Sequence, residues 1–179
     1  MNIKKYYFIT FLFWVISIAH ATPDRERYVI DHLIGLNGNN MIVYQIVYDN
    51  LGSHYMDLFE EYLIEKYMEN GRTTIIDMVR ITEQNSLESL LLQKYNNNIL
   101  RIIPAIYYNK QSILENGYLQ NRYRYNLVDY IPNELRNCEI INVVDIYFNG
   151  RYIYLTIDLK DDGTNYYRKI IMIRNSQED

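Results

Sequence analysis

Asn149-Gly150 stands between two runs of alternating side-chain character, and no other feature of the chain restricts its fold as narrowly. Asn-Gly supplies the two positive-φ residues of a type I′ two-residue hairpin, so the flanking runs are predicted to be antiparallel strands. The expected register sets Phe148 opposite Arg151, Ile146 opposite Ile153, Val144 opposite Leu155 and Ile140 opposite Leu159. Lys160 to Thr164 reads as a second turn, a type I turn closed by a left-handed Gly163 with Lys160 opposite Thr164. Side chains alternate across a strand, so the three-strand meander gathers Ile140, Val144, Ile146, Ile153, Leu155, Ile157, Leu159, Tyr167, Ile171 and Ile173 on one face. Tyr147, Tyr152, Tyr154, Tyr166 and Arg168 fall on the other.

Upstream the spacing changes. Thr22-Pro23-Asp24 has the form of a helix start, with Tyr28, Leu33 and Leu36 on its inner side and Asn37-Gly38-Asn39-Asn40 as its end. Between Met41 and Glu69, Val43, Val47, Leu51, Tyr55, Leu58 and Tyr62 recur at three to four residues, which predicts an amphipathic helix kinked at Gly52-Ser53 and closed by Asn70-Gly71. The stretch from Thr73 to Ile81 admits a helix or, from its β-branched content, a strand. Ser86 is a cap for a short helix through Leu87, Leu90, Leu91 and Tyr95, and Ile99 to Tyr108, with Pro104, leans toward another helix. Arg122 and Arg124 alternate with Tyr123, Tyr125 and Leu127, the period of a half-exposed strand.

The expected architecture is therefore α+β: residues 23–115 helical and 118–174 a sheet, with the helices packed on one face of an antiparallel meander of three to four strands. In outline this is similar to the cone-shaped folds of the nuclear transport factor two type, a resemblance of layout that carries no site residue with it. No repeat and no Pro-rich or Gly/Ser-rich linker divides residues 22–179, so one domain is expected.

Lys4 and Lys5, the apolar run from Tyr6 to Ile18 and the small-x-small Ala19-His20-Ala21 have the form of a secretory signal peptide over residues 1–21. A secreted or periplasmic destination is expected, with no membrane insertion after cleavage. The whole chain has 18 basic and 22 acidic residues, a formal charge of −4, and loses Lys4 and Lys5 with the signal. That sign argues against nucleic acid, whose affinity rests on Lys and Arg displacing counterions, and fits a basic protein partner or a neutral ligand. Cys138 is the one cysteine, so no internal disulfide can form.

No catalytic signature is present. His32 and His54 both fall on predicted helices outside any Gly-x-Ser-x-Gly or catalytic-cysteine context. His54 with Asp57 or Glu61 is the alternative, a secreted hydrolase, but the His-Glu-x-x-His pattern of a metal site is missing, and no metal or cofactor is expected. The leading expectation is a non-catalytic binding or inhibitor-type protein. Its predicted partner-binding residues are Tyr147, Tyr152, Tyr154, Tyr166 and Arg168, because tyrosine and arginine on a rigid strand face are the residue types protein interfaces favour.

Overall fold

The C-terminal meander is present, but what precedes it is not a helical layer. The computed structural model describes residues 25–50, 57–69, 72–96, 98–100, 102–105, 107–120 and 123–175. Its strands are β1 (Arg27–Asn37), β2 (Asn40–Asp49), β3 (Leu58–Glu69), β4 (Arg72–Arg80), β5 (Ile103–Pro104), β6 (Tyr118–Gln120), β7 (Arg124–Asn126), β8 (Glu139–Phe148), β9 (Tyr152–Lys160) and β10 (Tyr166–Arg174). Two α-helices interrupt them among the described residues, α1 (Leu87–Tyr95) and α2 (Lys110–Asn116). The expected α+β layout, helices over residues 23–115 on a three- to four-stranded meander, is thus replaced by a mostly β protein. The resemblance to the cone-shaped folds goes with it. Residues 1–21, expected to form a signal peptide, and His54 lie outside the described residues.

Seven long strands run in the order β4-β3-β2-β1-β10-β9-β8, and the two-residue β5 extends the far edge. Two antiparallel meanders are joined where β1 and β10 pair in parallel, over Tyr28↔Tyr166, Val29↔Tyr167 and Ile30↔Arg168. Three strand spacings separate β3 from β10, about 14 Å in a flat sheet. Yet their Cα atoms come within 8 Å, so the sheet is coiled strongly enough to bring these strands together.

Two Asn-Gly pairs sit at described hairpin turns. Asn37 pairs with Asn40 around a turn with Gly38 at φ 60°, and Glu69 pairs with Arg72 across residues 70 and 71. At Asn149-Gly150, the Asn149 N–H donates to the Tyr152 carbonyl, which makes Gly150-Arg151 the two-residue loop. Gly150 at φ 85° in the first loop position matches a type II′ turn rather than the expected I′. Phe148 consequently faces Ile153 and Ile146 faces Leu155, not Arg151 and Ile153; two bulges in β8 then restore Ile140↔Leu159. Moving the loop by one residue moves the register by two, so the side chains next to the turn keep their faces, but the bulge between Val143 and Asp145 sets Val143, not the expected Val144, in the core opposite Ile157. The second turn also differs: Lys160 faces Tyr166, Gly163 is not left-handed, and the Asp161 carboxylate organises the loop by accepting from the Gly163 and Asn165 amides.

The aliphatic face is the core. Ile153, Leu155, Ile157, Leu159, Ile171 and Ile173 are all fully buried. They pack with Ile113 of α2, Leu119 and Tyr125 of the β6–β7 hairpin, Leu127 and Leu135 from the 3-10 turns Leu127–Asp129 and Asn133–Leu135, and Ile131 between those turns. A smaller cluster lies on the opposite face of the N-terminal meander, where Leu90 and Tyr95 of α1 cover Ile42 and Leu63. As expected, Ser86 caps α1, its hydroxyl accepting from the Ser89 amide, and a left-handed Asn96 ends it. No described helix is long and apolar enough to cross a membrane.

Candidate functional site

The five expected partner-binding residues are separated by the coiling. Tyr152 and Tyr154 are 6 % and 0 % exposed, because the face they occupy is covered within the same domain. Tyr67, carried over by β3, hydrogen bonds Tyr152, and Asn149 Nδ2 donates to the Tyr154 hydroxyl at 3.2 Å. Burial, then the neighbouring Tyr152, pushes the Tyr154 hydroxyl well above its ordinary pKa. These two rings form no exposed patch. Tyr147 is half-buried and faces Tyr154 rather than Tyr152. Arg168 is already committed: its Nε and Nη2 reach the Asp158 oxygens at 2.7 and 3.2 Å, a bidentate pair. The Asp158 carboxyl is raised by burial but held below its usual range by the bonds from Arg168 and Tyr166.

Tyr166 belongs to a different aromatic surface. Pairing sets Phe59 opposite Tyr48, Tyr48 opposite Tyr28, and Tyr28 opposite Tyr166, so four rings line up across β3, β2, β1 and β10. The ring centroids of Tyr28 lie 5.8 Å from Tyr48 and 6.0 Å from Tyr166, at tilted angles of 48° and 42°. These are favourable offset geometries for aromatic pairs. Phe59 is 58 % exposed and the three tyrosines are half-buried. Ile30 and Ile46, facing each other, continue the surface by one step along the strands, and His32 stacks on Tyr44 one step further.

Carboxylates fix the hydroxyl ends of these rings. Tyr28 donates to Glu26 at 3.3 Å, Tyr48 to Asp57 at 3.0 Å, and Tyr44 to Glu61. The Tyr28 pKa is raised mainly by the Glu26 charge, the Tyr48 pKa by its bond to Asp57, and that of Tyr44 to about 12 by burial and then Glu61. Each hydroxyl therefore remains a donor at neutral pH. Asp57 and Glu61 are thus hydrogen-bonded to Tyr48 and Tyr44.

A charged constellation lies on the core side of the same strands. Asp31 is fully buried and accepts from Lys66 Nζ at 2.5 Å, Gln45 Nε2 at 2.7 Å and Lys169 Nζ at 3.3 Å. Burial raises the Asp31 carboxyl, but the two ammonium groups outweigh it and hold the pKa below the ordinary value. Lys169 is shifted down, chiefly by burial and further by Lys66, against the pull of Asp31. Gln45, Lys66 and Lys169 border an open cleft of about 260 Å³.

Tyr28 and Phe59 fall in segments whose spacing predicts helices, which hides them as members of one strand face. The alternation Tyr28, Ile30, His32, Ile34 before Asn37-Gly38 was the signal that locates the first of them on a strand face. Comparison with models of known protein families, with curated proteins and with solved structures finds no match.

Proposed function

We propose that this is an exported, non-catalytic binding protein that recognises a protein partner through the outer sheet face centred on Phe59, Tyr48, Tyr28 and Tyr166. The observation that supports this reading is the row of four rings in register on four adjacent strands, with no described residue packed over Phe59. Rings held on a sheet and pinned at their hydroxyls lose little entropy on binding, the property that makes tyrosine a frequent interface anchor. Acidic groups at the hydroxyl ends and the formal charge of −4 suit a partner presenting arginine or lysine, whose cationic heads stack on ring faces while contacting carboxylates.

The test is affinity capture with the full chain as bait, followed by a binding titration with the partner identified. Phe59→Ala should weaken binding by about 2 kcal/mol, roughly thirtyfold, with an unchanged melting temperature. Raised salt should weaken it further. A partner bound equally by wild type, Phe59→Ala and Tyr28→Ala would refute this face.

A further inference from the structure

The cleft beside Asp31 has the charge and lining of a small-molecule site. Its floor holds Lys66 and Lys169, whose side chains are 9 % and 15 % exposed, and both ammonium groups share the one Asp31 carboxylate. Among the described residues, Asp31 is the hydrogen-bond partner of each ammonium. An ammonium carries three N–H donors, so donors remain where water has little access. Lys66 and Lys169 against Asp31 leave an excess of one positive charge at the floor, which the exposed Glu134 offsets only from a distance and more weakly than Asp31 does. Above it the walls are apolar: Ile64 and Met68 from β3, and Ile75 and Met78 from β4, the last two 56 % and 44 % exposed. Glu134 stands on the rim and is exposed.

We propose that this cleft binds an amphipathic monocarboxylate, its carboxylate seated between Lys169 and Lys66 and its apolar body lying along Ile64, Met68, Ile75 and Met78. A monoanion neutralises the excess charge, and a charged pair formed out of water gains more than one in solvent. A hydrocarbon chain covers the two β4 side chains that the fold leaves in water. A volume of about 260 Å³ holds about nine water-sized groups, which sets the scale at a medium-chain acid rather than a long one. Glu134 opposes the ligand, since its carboxylate acts on Lys169 from the rim. The site lies on the face opposite the aromatic row, so it stands or falls independently of that surface.

The test is calorimetric titration of the full chain with octanoate, octanol and octyltrimethylammonium. Octanoate should bind at least about tenfold more tightly than either. Lys169→Met removes the excess charge but keeps the Asp31–Lys66 pair, and should lower octanoate affinity at least about tenfold. Glu134→Gln, at an exposed position, should raise it by roughly threefold to tenfold. Should Lys169→Met fail to fold, the ligand series and Glu134→Gln decide the matter. Equal binding of octanoate and octanol, undiminished binding by folded Lys169→Met, weaker binding by Glu134→Gln, or no octanoate binding at about 1 mM would each overturn the proposal.

Discussion

Asp31→Asn would keep the shape of the side chain and remove the one anion shared by two lysines. In the wild type the carboxylate is fully buried and accepts three hydrogen bonds, two from ammonium groups. The amide oxygen can still accept from one ammonium, but both charges are left without a counter-charge. Removing one partner of a buried pair costs about 3–5 kcal/mol. A second route gives a ceiling: Lys169, the ammonium already shifted down in the wild type, can shed its proton while the amide oxygen keeps Lys66, and moving one lysine of ordinary pKa 10.4 to neutrality at pH 7 costs about 5 kcal/mol. The two agree, and the second adds a signature. At pH 9.5 the same deprotonation costs only about 1 kcal/mol, so the penalty of the substitution should shrink to about that size. The sign is consistent with Lys169 in the wild type: a lysine whose folded pKa lies below its unfolded value adds stability as pH rises between the two, and the substitution widens that gap. Urea unfolding at pH 7 and pH 9.5 measures both quantities. A loss below about 1 kcal/mol at pH 7, or a loss of 3–5 kcal/mol that persists at pH 9.5, would refute the reasoning.

Tyr154→Ala should destabilise the fold by about 3–5 kcal/mol in thermal or urea unfolding, the cost of truncating a buried aromatic, and an unchanged stability would mean that the ring is not packed as described. Gly35→Ala should cost about 1–3 kcal/mol by the same measurement. A Cβ at position 35 would stand 2.1 Å from Ile99 Cγ2 and 3.0 Å from the Leu100 carbonyl oxygen, where Leu36 and Leu100 exchange backbone hydrogen bonds, so a neutral substitution would show that this crossing can open freely.

The C-terminal meander was legible because each of its signals is local. Turn residues flanked by period-two runs decide hairpin, face and core together, and a register difference of two residues leaves the faces of β9 and β10 intact, whereas the bulge that exchanges Val144 for Val143 in β8 has no turn residue to mark it. The N-terminal half carried the same signal, Asn-Gly at 37–38 and 70–71, but there it was read as the end of a helix. The reason lies in the burial. Met41, Ile42 and Val43 are all 0 % exposed, since α1 covers one face of β2 and the main core the other. A strand buried on both faces loses the alternation that marks a strand, and its apolar residues then match a helical period by chance. The β-branched content of β2 and β4 was the better guide.

Local chemistry alone determined the meander, the Ser86 cap, the two faces of β9 and the single-cysteine constraint, since each depends on residues a few positions apart or on composition. Which face meets water was decided only by the tertiary structure. The parallel junction of β1 with β10 and the coiling that brings β3 to β10 join segments more than a hundred residues apart in the chain. That closure buried Tyr152 and Tyr154 and aligned Tyr166 with Tyr28, Tyr48 and Phe59. It also set Asp31 between Lys66 and Lys169, three charges whose spacing in sequence predicts no contact. Local propensity reports how a strand alternates; exposure depends on what the rest of the chain packs over it.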